Sequence, residues 1–132
     1  MTNLILSVIS ALCIIESANR SGAIGDGGRA VGILQMWPIA VAEANRIENR
    51  ASRLEGRRPT AWVCADRTDP EQSKAMAFTT LKFHYERGCT NAIDLGCRWR
   101  NPYSRCPEWY REKLRRCLCP ADCADAKTNK MM

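Results

Sequence analysis

Histidine is what this chain has least of: His84 is the only one in 132 residues. A lone histidine excludes a His-rich metal site. Set inside a helical pattern, it also leaves no Ser-His-Asp set and no base for a cysteine nucleophile. Glycine patterns that cradle phosphates or dinucleotides are missing too. Long hydrophobic runs are absent. The run Leu4 to Ile15 covers only about 12 residues, well short of the roughly 20 that cross a bilayer. It has no basic lead-in and no small-residue cleavage site before Glu16, so it reads as a core helix rather than a leader peptide. No repeat, low-complexity tract or linker interrupts the sequence. One domain is expected over 1–120, followed by a polar tail over 121–132.

What is present is a basic, ordinary globular composition: 45% hydrophobic, 26% charged, net charge +6. That balance argues against disorder and favours anionic partners such as nucleic acid, acidic lipid or the bacterial envelope. Eight cysteines, six of them between Cys89 and Cys123, are many for this length. Disulfides in an oxidising compartment, free thiols and a metal site are all open readings. The spacing Cys117-x-Cys119-x3-Cys123 matches no common structural zinc pattern, and the disulfide pairing is not readable.

Helical spacing gives a first helix capped by Thr2 or Asn3, with Ile5, Val8, Ile9, Leu12 and Ile15 on one face. Glu16 falls in phase with that face. Its carboxyl either joins the buried side or escapes to solvent at the helix end. In the buried case, desolvation and the negative end of the helix dipole would both raise its pKa, as a general acid requires. Residues 22–36 read as a hairpin turning at Asp26-Gly27-Gly28, because glycine accepts the positive φ of tight turns. Pro38 starts a second helix ending near Glu55-Gly56, its face drawn from Ile39, Ala42, Ile47, Ala51 and Leu54, with Glu48 on the wet side. Residues 60–68 read as a short connection, extended around Trp62-Val63-Cys64. Asp69-Pro70 with Gln72 as a capping box starts a third helix that ends at Gly88. A short fourth helix is expected over 90–99, weakened by Gly96. A fifth runs from Pro107 to Pro120 and makes its contacts through Trp109, Tyr110 and Leu114.

Two acids around a glycine turn suit glycosidic bond cleavage, in which an acid protonates the leaving oxygen. Here a resemblance becomes specific. Glu16-Ser17, then Ile24-Gly25-Asp26-Gly27-Gly28 and Gly32-Ile33-Leu34-Gln35, resemble the soluble lytic transglycosylase and goose-type lysozyme families. Asp66-Arg67-Thr68-Asp69-Pro70 and Ser73 are similar to the start of the next helix in a small phage and bacterial subgroup. The likeness covers about residues 4 to 88. It implies an α+β, predominantly α, lysozyme-like fold, with a small N-terminal hairpin beside a core helix. The implied activity is cleavage of the β-1,4 bond between N-acetylmuramic acid and N-acetylglucosamine, by lytic transglycosylase or lysozyme chemistry.

By the same resemblance Glu16 is the catalytic acid/base. Asp26 is a second catalytic candidate that would hold water or stabilise charge. Ser17, Gly32, Gln35, Tyr85 and Asn101 are the substrate-binding candidates, Ser17 by supporting the glutamate. The chain departs from the family pattern at Trp99-Arg100-Asn101-Pro102, where relatives carry an aromatic-Asn-(Ala/Gly)-Gly loop. That departure sustains an alternative, a lysozyme-like module that binds wall or chitin with weakened turnover. No cofactor or metal is expected. The expected partner of this monomer is the peptidoglycan glycan strand, without nucleic acid and without stable membrane insertion. A phage lysin, a virion-borne enzyme and a secreted mature form all fit.

Overall fold

A computed structural model describes residues 1–118, so the expected 121–132 tail and the Pro120 helix stop lie outside the described residues. The chain is predominantly helical, with one small antiparallel sheet. The elements are α1 (Thr2–Ser17), β1 (Ile24–Gly25), β2 (Ala30–Val31), α2 (Pro38–Glu55), α3 (Pro70–Glu86), α4 (Ala92–Arg100) and α5 (Glu108–Cys117). Short 3-10 turns occupy Asp26–Gly28 and Cys64–Thr68.

Helix α1 is the hub. Ile5, Val8, Ile9, Ala11, Leu12 and Cys13 are buried, and the helix packs against α3, α4 and α5. Both expected caps lie inside the helix, with Met1 at the N-cap position and no side-chain cap bond. Ala18 closes it in the left-handed conformation, donating its N–H back into the last turn.

The second helix has the expected limits, with Pro38 in its first turn and Gly56 at its C-cap. Its face is different. Ile39 and Leu54 are 75% and 79% exposed, while Val41, Ala44, Ile47, Glu48 and Ser52 are buried. Glu48 can be inside because its two oxygens accept from Arg57 at 2.8 and 3.0 Å and from the Thr60 N–H at 2.9 Å. Those bonds hold its carboxyl down to about 2. Asn45 bonds both the N–H and the C=O of Trp62, which keeps the 57–63 segment against α2 and buries that indole. Val63 is extended, as expected, and a 3-10 turn follows over Cys64–Thr68.

Helix α3 is capped as expected by Asp69, whose side chain accepts from Glu71 N–H. Gln72 does not complete a capping box; its Oε1 accepts from the Trp62 indole at 3.0 Å. Helix α4 is capped by Asn91, which accepts from Ile93 and Asp94. Gly96 strengthens the packing there rather than weakening the helix. A Cβ at this position would come within 2.5 Å of Leu114 Cδ2, so glycine allows α5 to lie close. Helix α5 buries Tyr110 and Leu114, but Trp109 is 57% exposed, contrary to its expected role as a packing contact. A disulfide joins Cys97 to Cys106 across the α4–α5 loop, and Cys13, Cys64, Cys89 and Cys117 are free thiols. Among the described residues no helix is long and apolar enough to cross a membrane.

Candidate active site

The last turn of α1 places Glu16 at the edge of the core, half-buried. Helical phase carries its carboxyl to the side where α5 packs, and there the Tyr110 hydroxyl donates to Glu16 Oε2 at 2.6 Å. Burial pushes the Glu16 pKa up, and the Asp26 carboxylate adds to that rise. The Tyr110 hydrogen bond, Arg100 and Lys113 oppose it by favouring the charged form, and burial prevails. Tyr110 is itself raised, by burial first and then by the adjacent carboxylate, so it remains a hydrogen-bond donor throughout the working pH range.

Each flank of Glu16 carries an exposed indole beside a cation. On the hairpin side, Trp37 donates its Nε1–H to Asp26 Oδ2 at 3.1 Å, and the Arg29 guanidinium lies 5.4 Å from its ring centre. On the α5 side, Trp109 packs edge-on against Tyr110, with Arg100 and Lys113 at 5.4 and 5.3 Å from its ring centre. Arg100 is also 5.4 Å from the Tyr110 ring. Aromatic faces of this kind suit the apolar faces of sugar rings, and the polar groups around them suit hydroxyls.

The hairpin that carries Asp26 pairs Ile24 with Val31 and Gly25 with Ala30. Asp26, Gly27 and Gly28 all turn with positive φ. Three of the substrate-binding candidates fix its position through contacts within the protein. Ser17 is 4% exposed. Its hydroxyl lies 2.7 Å from Ile33 O and 3.1 Å from Cys13 O and accepts from Arg20 N–H. Ser17 therefore ties the end of α1 to the segment after β2. Gln35, at φ 48°, donates its side-chain amide to Ala23 O and Gly32 O. Gly32 is buried at φ 87°, and a Cβ there would fall 1.8 Å from Arg67 O. These three are clamps of the hairpin.

The Asp66–Pro70 motif completes that brace. Arg67 donates from Nη1 to Arg29 O and Met36 O, both at 2.9 Å, and its own carbonyl accepts from the buried Ser73 hydroxyl. The remaining two candidates lie elsewhere. Tyr85 is half-buried against the core near the end of α3. Asn101 caps the end of α4, accepts from Tyr103 N–H, and lines a hollow with Cys89, Arg98 and Arg111 that Glu16 does not line.

The residues that sequence reading missed are Tyr110 as the partner of Glu16, and the cations Arg100 and Lys113. A signal for Tyr110 existed. It shares a helix face with Leu114, four residues on, and a buried phenol needs a polar partner. Among the described residues, no group of three or more His, Cys, Asp or Glu side chains is placed to hold a metal ion. No family model matches the chain, and neither a curated protein nor a solved structure does so.

Proposed function

We propose that the chain is a glycosidase of the bacterial cell wall, with a lysozyme-like domain cleaving the β-1,4 bond between N-acetylmuramic acid and N-acetylglucosamine. The observation that carries this reading is the Glu16 carboxyl, half-buried at the end of the hub helix, raised in pKa and oriented by Tyr110. A carboxyl whose pKa is raised by burial gives up its proton less readily to water and is suited to protonating a glycosidic oxygen as an oxocarbenium-like centre forms. Tyr110 fixes one carboxyl oxygen, and on this reading the other carries the proton to the ligand. The surplus of basic residues favours adhesion to an anionic wall.

Two products follow from the same protonation. Attack by water, with Asp26 acting on it, gives a reducing end. Attack by the sugar's own 6-hydroxyl, with Glu16 then serving as base, gives an anhydro end that is one water lighter. Mass spectrometry of the released fragments separates them. The test of the reading itself is Glu16→Gln, which should abolish clearing of purified walls. Equal clearing by the variant and the parent would sink the assignment.

One observation favours the alternative of a wall- or chitin-binding module with weakened turnover: Asn101 lines a hollow that Glu16 does not line. Tight binding of wall fragments by the parent, without product release, would select it.

A further inference from the structure

The three arginines of α5 are all paired with acids. Arg111 meets Asp94 at 3.1 Å, Arg115 meets Glu108 and Glu112 at 2.8 and 2.9 Å, and Arg116 lies 3.8 Å from Glu112. Arg100 and Lys113 differ. Both are exposed, and neither forms a salt bridge with a carboxylate among the described residues. Both lie instead over the exposed Trp109 ring, and Arg100 also lies over the Tyr110 ring whose hydroxyl holds Glu16. Two exposed cations without a salt bridge are thus gathered on an indole that is 57% exposed, where both also act on the Glu16 carboxylate.

A guanidinium lying over aromatic rings has its face occupied, while its N–H edge stays available for a planar anion. An ammonium beside it adds a point charge with three donors. A carboxylate fits that pair, because it can accept two N–H bonds from the fork and one from the ammonium. A ligand sugar seated beside Trp109 would bring such a group to both cations at once.

We propose that Arg100 and Lys113 form a subsite for a carboxylate carried by the glycan beside the bond that Glu16 protonates. The proposal rests on the glycosidase reading and makes it narrower. The substrate is an acidic glycan rather than a neutral one. Two sources supply the same chemistry: the lactyl carboxylate of a muramic residue without a peptide stem, and the carboxylates of the stem itself.

The experiment measures binding in the Glu16→Gln chain, which keeps the ligands uncleaved. Three tetrasaccharide probes are compared by calorimetry: a stem-free muramyl glycan, a stem-bearing one, and neutral chitotetraose. A carboxylate-bearing probe should bind about tenfold or more tighter than chitotetraose. Arg100→Gln and Lys113→Gln, made separately, should each bring that ratio close to one. Arg53→Gln removes the same charge from the far end of α2 and should preserve the ratio. A stem-free advantage assigns the lactyl group, and an advantage confined to the stem-bearing probe assigns the stem; either supports the subsite. A ratio near one in the starting chain, no binding of any probe, or an equal loss with Arg53→Gln overturns it. Wall clearing by the parent decides the glycosidase reading separately, since the binding ratio is read whether or not turnover occurs.

Discussion

Two regions meet at Glu16, and they are built by opposite strategies. The hairpin region, residues 18–37, is made of special backbone. Among the described residues four that are not glycine have positive φ, Ala18, Asn19, Asp26 and Gln35, and all lie in this stretch. Apart from the Trp37–Asp26 bond, its side chains donate to carbonyls of the protein: Gln35 to Ala23 and Gly32, with Arg67 from outside on Arg29 and Met36. The α4–α5 region has ordinary helices joined by a disulfide. Its side chains, Tyr110, Arg100 and Lys113, turn toward the acid. The region with the recognisable motif supplies the frame, and the region without one supplies most of the groups that act on Glu16.

The strongest way to break that contrast is Gly32→Ala. A methyl group 1.8 Å from a backbone oxygen, at a φ of 87°, has no room to relax. We expect a loss of more than about 3 kcal/mol in denaturant unfolding. A loss within the usual surface range would mean that the hairpin is not clamped to Arg67. Next is Cys106→Ser, which opens the link to Cys97 nine residues earlier. Constraint of a loop that short contributes about 2–3 kcal/mol, so the melting temperature should fall while the hairpin stays formed. If the hairpin's amides lose protection from exchange together with the loop's, the two regions are not separable units.

Tyr110→Phe leaves the buried ring in place and removes only its bond to Glu16. A hydrogen bond to a charged group contributes roughly 1.5–3 kcal/mol, which corresponds to about a 10- to 100-fold fall in wall clearing if orientation of the acid is needed. The same change should move the pH profile upward, because the Tyr110 bond holds the Glu16 pKa down. Unchanged rate and profile would reduce Tyr110 to a packing residue.

The smallest expected effect is on stability against pH. Glu16 has a raised pKa in the fold, so the folded chain binds that proton more tightly than the unfolded chain. Its contribution is fully present below the ordinary carboxyl pKa and is lost as pH rises through the raised value. Glu16→Gln should therefore be modestly more stable than the parent at neutral pH, with the gap closing in acid. Glu48 runs the other way. Held down to about 2 by Arg57 and Thr60, it stabilises the fold above its ordinary pKa, and that contribution fades as pH falls toward 2. Melting curves of the parent, Glu16→Gln and Glu48→Gln between roughly pH 2 and 8 check the two signs.

Helix limits were the most legible part of this sequence, because Pro38, Gly56 and Asp69-Pro70 act locally, through the backbone within one turn. Helix faces were less so. Counting apolar residues put Ile39 and Leu54 inside, whereas the buried Glu48 depends on Arg57 and Thr60, which reach it only after the chain has reversed. In the site, the motif pointed to Glu16 and the hairpin but not to the direction of each side chain. Ser17, Gly32 and Gln35 also brace the hairpin, a role that follows from partners the motif does not show. Tyr110 lies 94 residues from Glu16, beyond the reach of any spacing rule.

That 94-residue span also sets a schedule for the growing chain. A ribosome adds about 5–20 residues per second, so Tyr110 is made roughly 5–20 s after Glu16. Until then the acid, the hairpin and the Arg67 brace can be present, yet the carboxyl has no phenol to aim it and no α5 to dry it. A half-made chain is thus a frame without an oriented acid, and on the proposed reading lytic chemistry arrives only with the last described helix.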